Sequence, residues 1–409
     1  MKILLITPRV PYPPYRGDKL KIFNLIKRLS RRHEIHLLCF AQTRQDLENL
    51  QHLRTYCRHI DHVKLPVWLS LLKCFAGLFT QIPLQVQYFK SRRMQNLIDQ
   101  TCRQHHFDVI HTHLIRMAQY TAEKHRPVKV LDLTDAVSLY LQRFTARAKN
   151  PFVKLLLKIE LRRMMRYERI LEKFNACFVC SEPDREQLRT TAPEAAIKLI
   201  PNGVDLDYFS PNGTLSDHDP DKIIFTGNLS YYPNIDGILY FTDEIFPLIK
   251  KERPSAKLYI VGQSPPAKVR ALASREVIVT GFVEDIKQHY LSSAVAVSPI
   301  RFGAGTLNKI IEPLALGVPV VATSVGVEGL EVIQGEDILV ADHPQAFAQY
   351  VVRVLREPAL REKLRQGGMA VIRKQYDWDP IVARLEEIYH DLVKEKTREE
   401  KPKALSAVD

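Results

Sequence analysis

The sequence predicts an α/β protein made of two doubly wound, mostly parallel sheets joined by a linker. Three observations carry that expectation. The chain has 409 residues, more than one ordinary core accommodates, and its 45 % apolar and 26 % charged content is that of a globular protein. Short strand-like runs alternate with helical periodicities. A turn-rich stretch, "NGVDLDYFSPNGTLSDHDPD" (202–221), interrupts the alternation, which then restarts.

In chain order, "KILLIT" (2–7) is a strand. "GDKLKIFNLIKRLSRRH" (17–33) follows, with apolar residues at 20, 22, 23, 25, 26 and 29, a helical stripe. Strands follow at 34–40, 108–113, 128–133, 176–181 and 197–201, with a long basic helix at 151–174. After the linker, strands are expected at 222–227, 256–262, 276–281, 294–300, 318–323 and 337–341. Helical segments near 234–251, 284–292, 307–316, 344–356 and 358–375 separate them. The domain limits are therefore 1–202 and 203–375, with a helix at about 376–396 crossing back to the first half and a charged tail at 397–409.

The formal net charge of +13 is uneven. Residues 1–200 hold 35 Lys and Arg against 17 Asp and Glu, and the remainder 24 against 29. The first half thus calls for an anionic partner, such as a phosphorylated ligand or an anionic membrane surface. Nucleic acid is not expected, because no aromatic-basic platform or reading motif accompanies the charge. No run reaches the ~18 apolar residues of a membrane span. The nearest, 65–83, is broken by Lys73 and bounded by Pro66 and Pro83; it reads as either a buried or an interfacial helix. Met1-Lys2 leads straight into the first strand, so the six cysteines are expected to be reduced and the chain cytoplasmic, or peripheral on the inner membrane face. "CFVC" (177–180) has no second Cys or His pair at zinc spacing and reads as core packing.

Ligands of open parallel sheets bind at the carboxyl ends of the strands. The first strand leads to Gly17 at a helix N-terminus, which suits an anion or is a simple connector. The next candidate strand ends carry His111, Thr112 and His113, then Thr134 and Asp135, residues for general base work or sugar hydroxyls, or else satisfied structural groups. Gly227 ends the strand after the linker and can admit a phosphate. Arg301 and the glycine-rich 303–305 precede a segment holding Lys309 and Glu312. Spaced three apart, these two share a helix face. Lys neutralises phosphate, and Glu accepts two hydrogen bonds from a ribose diol; the alternative is a mutual pair on a solvated face. Pro313 should kink that helix.

Several separated segments together resemble the GT-B glycosyltransferases of family 4: the "P…GD" loop, "DVIHTH", "CSE", "IPNGVDLDYF", "FTGNLSYYPN", "VGQSP", "GFVEDIKQHYLSSAVAVSPI" and "NKIIEPLALGVPVVAT". Sugar transferases of bacterial exopolysaccharide clusters are the similar subfamily. The resemblance implies two Rossmann-like domains facing across a cleft, acceptor side first and donor side second. It implies transfer of a sugar from a nucleotide-diphosphate sugar to a glycan or lipid-linked acceptor, with retention of configuration and with no metal or cofactor. Glu312 matches the second Glu of the family's E-x7-E motif; the first falls on Ala304. Asn228 and Asn234 bound the stretch where the family carries a basic pair. Arg301, Lys309 and backbone N–H groups near Gly17, Gly227, Gly305 and Thr306 are then the candidates for the diphosphate. His113 matches the family's histidine near the reacting sugar, and Asp135 joins it as a candidate catalytic residue. The rivals are a non-catalytic GT-B-like assembly protein, which Ala304 favours, and a GT-B sugar-nucleotide epimerase.

Overall fold

The computed structural model describes residues 1–124, 126–211, 218–303, 305 and 307–405, with the backbone alone for 399–405. The chain divides into two compact units, Met1–Ile200 with Asp379–Asp409, and Pro201–Trp378.

The first unit holds strands β1 (Lys2–Thr7), β2 (Glu34–Ala41), β3 (His59–Lys64), β4 (Val109–His113), β5 (Val128–Thr134), β6 (Ala176–Val179) and β7 (Ile197–Leu199). All pair in parallel, in the order β3-β2-β1-β4-β5-β6-β7. The order reverses between β1 and β4, so their carboxyl ends border the crevice where such sheets take ligands. Every strand residue from Ile3 to Thr7 is buried, as a sheet covered on both faces demands. Edge strand β3 is a further element beyond the expected set. Only Val63 of "HIDHVK" is buried, so it carries no apolar signal. The helix Trp378–Leu405 joins this unit from Asp379 on, through Arg28–Asp379 at 2.6 Å and Arg32–Glu386 at 2.6 Å.

The second unit holds β8 (Asp219–Thr226), β9 (Lys257–Val261), β10 (Val277–Gly281), β11 (Ser293–Ser298), β12 (Val320–Ala322) and β13 (Leu339–Val340), again all parallel, in the order β10-β9-β8-β11-β12-β13. Alternate strand residues feed cores on opposite faces. Ile223 and Phe225 join Ile238 and Phe347 on one, and Ile224 joins Ile310 and Leu314 on the other. The switch point falls between β8 and β11, whose carboxyl ends lead to Gly227 and to the helix Asn308–Ala315. Pro313 lies inside that short helix, which ends at Ala315 with Leu316 as its cap and Gly317 at φ +74°. Cys177 and Cys180 are buried, Cys177 on β6 within the apolar core.

Candidate functional site

In the second unit, the turn after β8 is built on close backbone approach. A Cβ on Gly262 would lie 1.8 Å from the Gly227 carbonyl oxygen, so only glycine lets the ends of β8 and β9 meet. Gly227 has φ +153°, and a Cβ there would meet Asn234 Nδ2 at 2.7 Å and Lys309 Nζ at 3.1 Å. Asn234 donates from Nδ2 to the Asn228 carbonyl at 2.8 Å and accepts from the Lys309 ammonium on Oδ1. The ammonium also sits 4.7 Å from the Phe225 ring centroid. The asparagine at the family's basic stretch therefore carries a lysine delivered from another element.

Glu312, one turn along from Lys309, accepts from the Tyr290 hydroxyl at 3.2 Å, and that hydroxyl lies 2.6 Å from Thr226 Oγ1. Burial drives both charges toward neutrality. It pulls Lys309 down to about 7 and pushes Glu312 up to about 7, against the opposing pull of each on the other. A desolvated Lys–Glu pair at a strand-end turn is a candidate functional site. Arg301 is otherwise engaged. Its guanidinium grips Asp236 through two bonds of 2.9 and 2.7 Å and stacks 4.4 Å from the Tyr240 ring. Gly305 has φ +77°, the left-handed backbone that glycine favours. Thr306 and Ala304 lie outside the described residues.

In the first unit, His113 closes β4 and is 1 % exposed. Both ring nitrogens face oxygens: Nε2 lies 3.1 Å from the Asp18 carbonyl and Nδ1 3.5 Å from Asp132 Oδ2. Asp132 takes Lys21 Nζ at 2.8 Å, with both side chains 1 % exposed. His111 reaches Tyr389 Oη at 2.5 Å. The ligand atoms of His111, His113 and Asp132 lie within 4.8 Å of one another, but the Lys21 ammonium already supplies the cation there.

Leu114 and Thr134, immediately after His113 and before Asp135, both have φ 69°, a strained backbone for residues with a Cβ. Asp135 is pushed up to about 7 by burial and by Asp184, against Arg116 and Lys21. Gly17 is exposed and open at the start of its helix. Beside it lies a basic cluster the sequence reading did not single out. Burial works against the Asp18 carboxylate, yet Arg9 at 2.6 Å, Arg16 at 3.4 Å and nearby Arg116 hold it at about 2. Arg116 stands three residues after His113, a spacing that marks it as a strand-end neighbour.

Two doubly wound units, one with a buried Lys–Glu pair behind a glycine turn and the other with a His–Asp network at its switch point, have the make-up of a GT-B glycosyltransferase. The model of Glycosyltransferase Family 4 matches residues 22–208, and that of Glycosyl transferases group 1 matches 220–357. The chain belongs to this glycosyltransferase family. It is 21 % identical over 392 residues to an uncharacterized 44.6 kDa protein in the cps region of Klebsiella pneumoniae, covering 92 % of this chain and 96 % of that one. Among solved structures, sucrose-phosphate synthase from Thermosynechococcus elongatus superposes with a TM-score of 0.72 at 19 % identity, covering 96 % and 99 % of the two chains. HepE of Anabaena in complex with UDP does so at 0.70 and 14 % identity, covering 96 % and 100 %. These likenesses show the fold. No helix among the described residues is long and apolar enough to cross a membrane.

Proposed function

We propose that the protein transfers a sugar from a nucleoside-diphosphate sugar to a glycan or lipid-linked acceptor, as one step of a cell-surface polysaccharide assembly. The observation that carries this reading is the buried Lys309–Glu312 pair behind Gly227. Glu312 takes the ribose diol, and Lys309 moves from Asn234 to the diphosphate. Lys309 then stabilises the charge on the departing nucleoside diphosphate. Arg301 adds to it only by leaving Asp236. His113 and Asp135 line the acceptor side, and the reaction retains configuration with no metal or cofactor. The cps-region relative supports the pathway, and the UDP complex of HepE supports the donor class. The test is a panel of nucleotide sugars that includes UDP-glucose, followed by nucleoside diphosphate release and the anomer of the product. Release only with an acceptor present is expected; a C2-epimer product, or binding with no release from any donor, overturns the reading.

The acceptor is proposed to lie at an anionic membrane, against the first unit. In the helix Val67–Gly77, Ser70 and Gly77 are buried, while Trp68 is 66 % and Phe75 67 % exposed. Phe79 at 86 % and Phe152 at 79 % extend the apolar surface, with Leu155 and Leu156 exposed on the helix Pro151–Tyr167. Arg163 donates to the Leu78 carbonyl at 2.6 Å and Arg166 to Gln81 Oε1 at 3.1 Å, tying the two segments into one face. An apolar surface beside Lys158 and Arg162 matches anionic lipid, each basic residue adding about 1 kcal/mol near the leaflet. In sedimentation with vesicles, binding to anionic but not neutral lipid should fall as salt rises. Trp68→Ser/Phe75→Ser should stay in the supernatant. Equal recovery of wild type and variant with anionic vesicles excludes this surface.

A further inference from the structure

We propose that His36, His59 and His105 form a zinc site at the end of the first unit's sheet opposite His113. His36 on β2 and His59 on β3 are register partners, so their side chains stand side by side on one face. His105 comes to them from the C-terminal end of the helix Arg92–Gln104. The ring centroids are 4.4 Å apart for His36 and His59, 4.9 Å for His36 and His105, and 5.4 Å for His59 and His105. One ligand-capable nitrogen from each lies within 4.8 Å of the others. A cavity of about 40 Å³ opens among them, lined also by Asp61, Thr101 and Gln104. That is room for one ion and little more.

The surroundings supply what a metal-bound imidazole needs. His36 Nε2 lies 2.8 Å from Glu34 Oε1, and Lys2 holds the same carboxylate at 3.0 Å. With Nε2–H donating to Glu34, the lone pair of His36 sits on Nδ1, the arrangement in which a carboxylate orients a ligating histidine. Phe107 packs edge-on against His36 at 5.0 Å and fixes the ring. Three imidazoles with a water in the fourth position suit Zn²⁺, and its bond lengths ask the exposed His59 to move inward. The ion would clip edge strand β3 to β2 and to the turn entering β4. The site lies at the opposite end of the first unit's sheet from His113 and Asp135, so its role is to hold β3 in place.

The experiment is calorimetric titration of the metal-stripped full chain with ZnCl₂, paired with thermal unfolding. One equivalent should bind to the wild type and raise its Tm. His59→Ala and His105→Ala, both outside the core, should weaken that binding by at least the roughly 10- to 100-fold that loss of an outer-shell partner alone brings. Glu34→Gln should weaken it about 10-fold or more. Neither histidine variant should gain Tm from zinc, while both keep the metal-free Tm of the wild type. Equal zinc affinity in the wild type and a His59→Ala/His105→Ala double variant overturns the site, as does a wild type whose Tm zinc leaves unchanged.

Discussion

Asp132→Asn is expected to cost about 3–5 kcal/mol of stability, because it leaves a buried ammonium without its counter-charge. Lys21 and Asp132 are each 1 % exposed and 2.8 Å apart. Burial alone would disfavour both charges, but the pair more than offsets it, raising Lys21 and holding Asp132 well below the usual carboxylate range. The unfolded carboxylate, near 3.9, takes up its proton first as pH falls. The pair's stabilisation is therefore complete above about pH 5 and is lost progressively below it. The variant keeps the sign of this dependence but moves it to alkaline pH. A lone buried Lys21 has its pKa lowered by desolvation, so the unfolded chain binds more protons and the variant gains stability as pH rises toward 10. Urea midpoints from pH 4 to 10 measure both slopes. Lys21→Met/Asp132→Leu should recover most of the loss, since an apolar pair carries no desolvation cost. A loss under about 1 kcal/mol in Asp132→Asn would show that the pair is not the anchor of this network.

The strands of both sheets were legible because parallel strands buried on both faces are written as apolar runs, as in "KILLIT" and "VPVVAT". Edge strand β3 was not, since "HIDHVK" buries little and alternates weakly. The candidate site was legible where adjacent residues carry the chemistry: a glycine at a strand end, or a Lys and a Glu on one helix face. Partners from distant elements were not. Nothing local ties Arg301 to Asp236, 65 positions earlier, or Lys309 to Asn234, 75 positions earlier. The Lys21–Asp132 pair left a faint mark, a lysine between Leu20 and Ile22 in an otherwise apolar helical stripe. Gly262 left none, because its requirement is a carbonyl oxygen on the neighbouring strand.

Glu312→Ala is expected to weaken nucleoside-diphosphate-sugar binding about ten- to a hundredfold, the 1–3 kcal/mol of a buried polar partner left unmet. Two groups lose a partner at once in the complex. The ribose diol loses its acceptor, and the Tyr290 hydroxyl, fully buried and bonded to Thr226, loses the carboxylate it donates to. Glu312→Gln keeps one acceptor oxygen and the contact with Tyr290, so it should retain an intermediate affinity. The effect carries a pH signature. Burial raises the Glu312 pKa to about 7, so its carboxylate, able to accept two bonds, dominates only above neutrality. The Ala penalty should therefore be larger at pH 8 than at pH 6. Lys309→Met separates the two roles: it should weaken the nucleoside diphosphate far more than the free nucleoside, whereas Glu312→Ala weakens both. Isothermal titration of the wild type and the three variants with UDP, uridine and UDP-glucose reads every arm. Wild-type affinity in a folded Glu312→Ala, at either pH, removes this residue from the donor site.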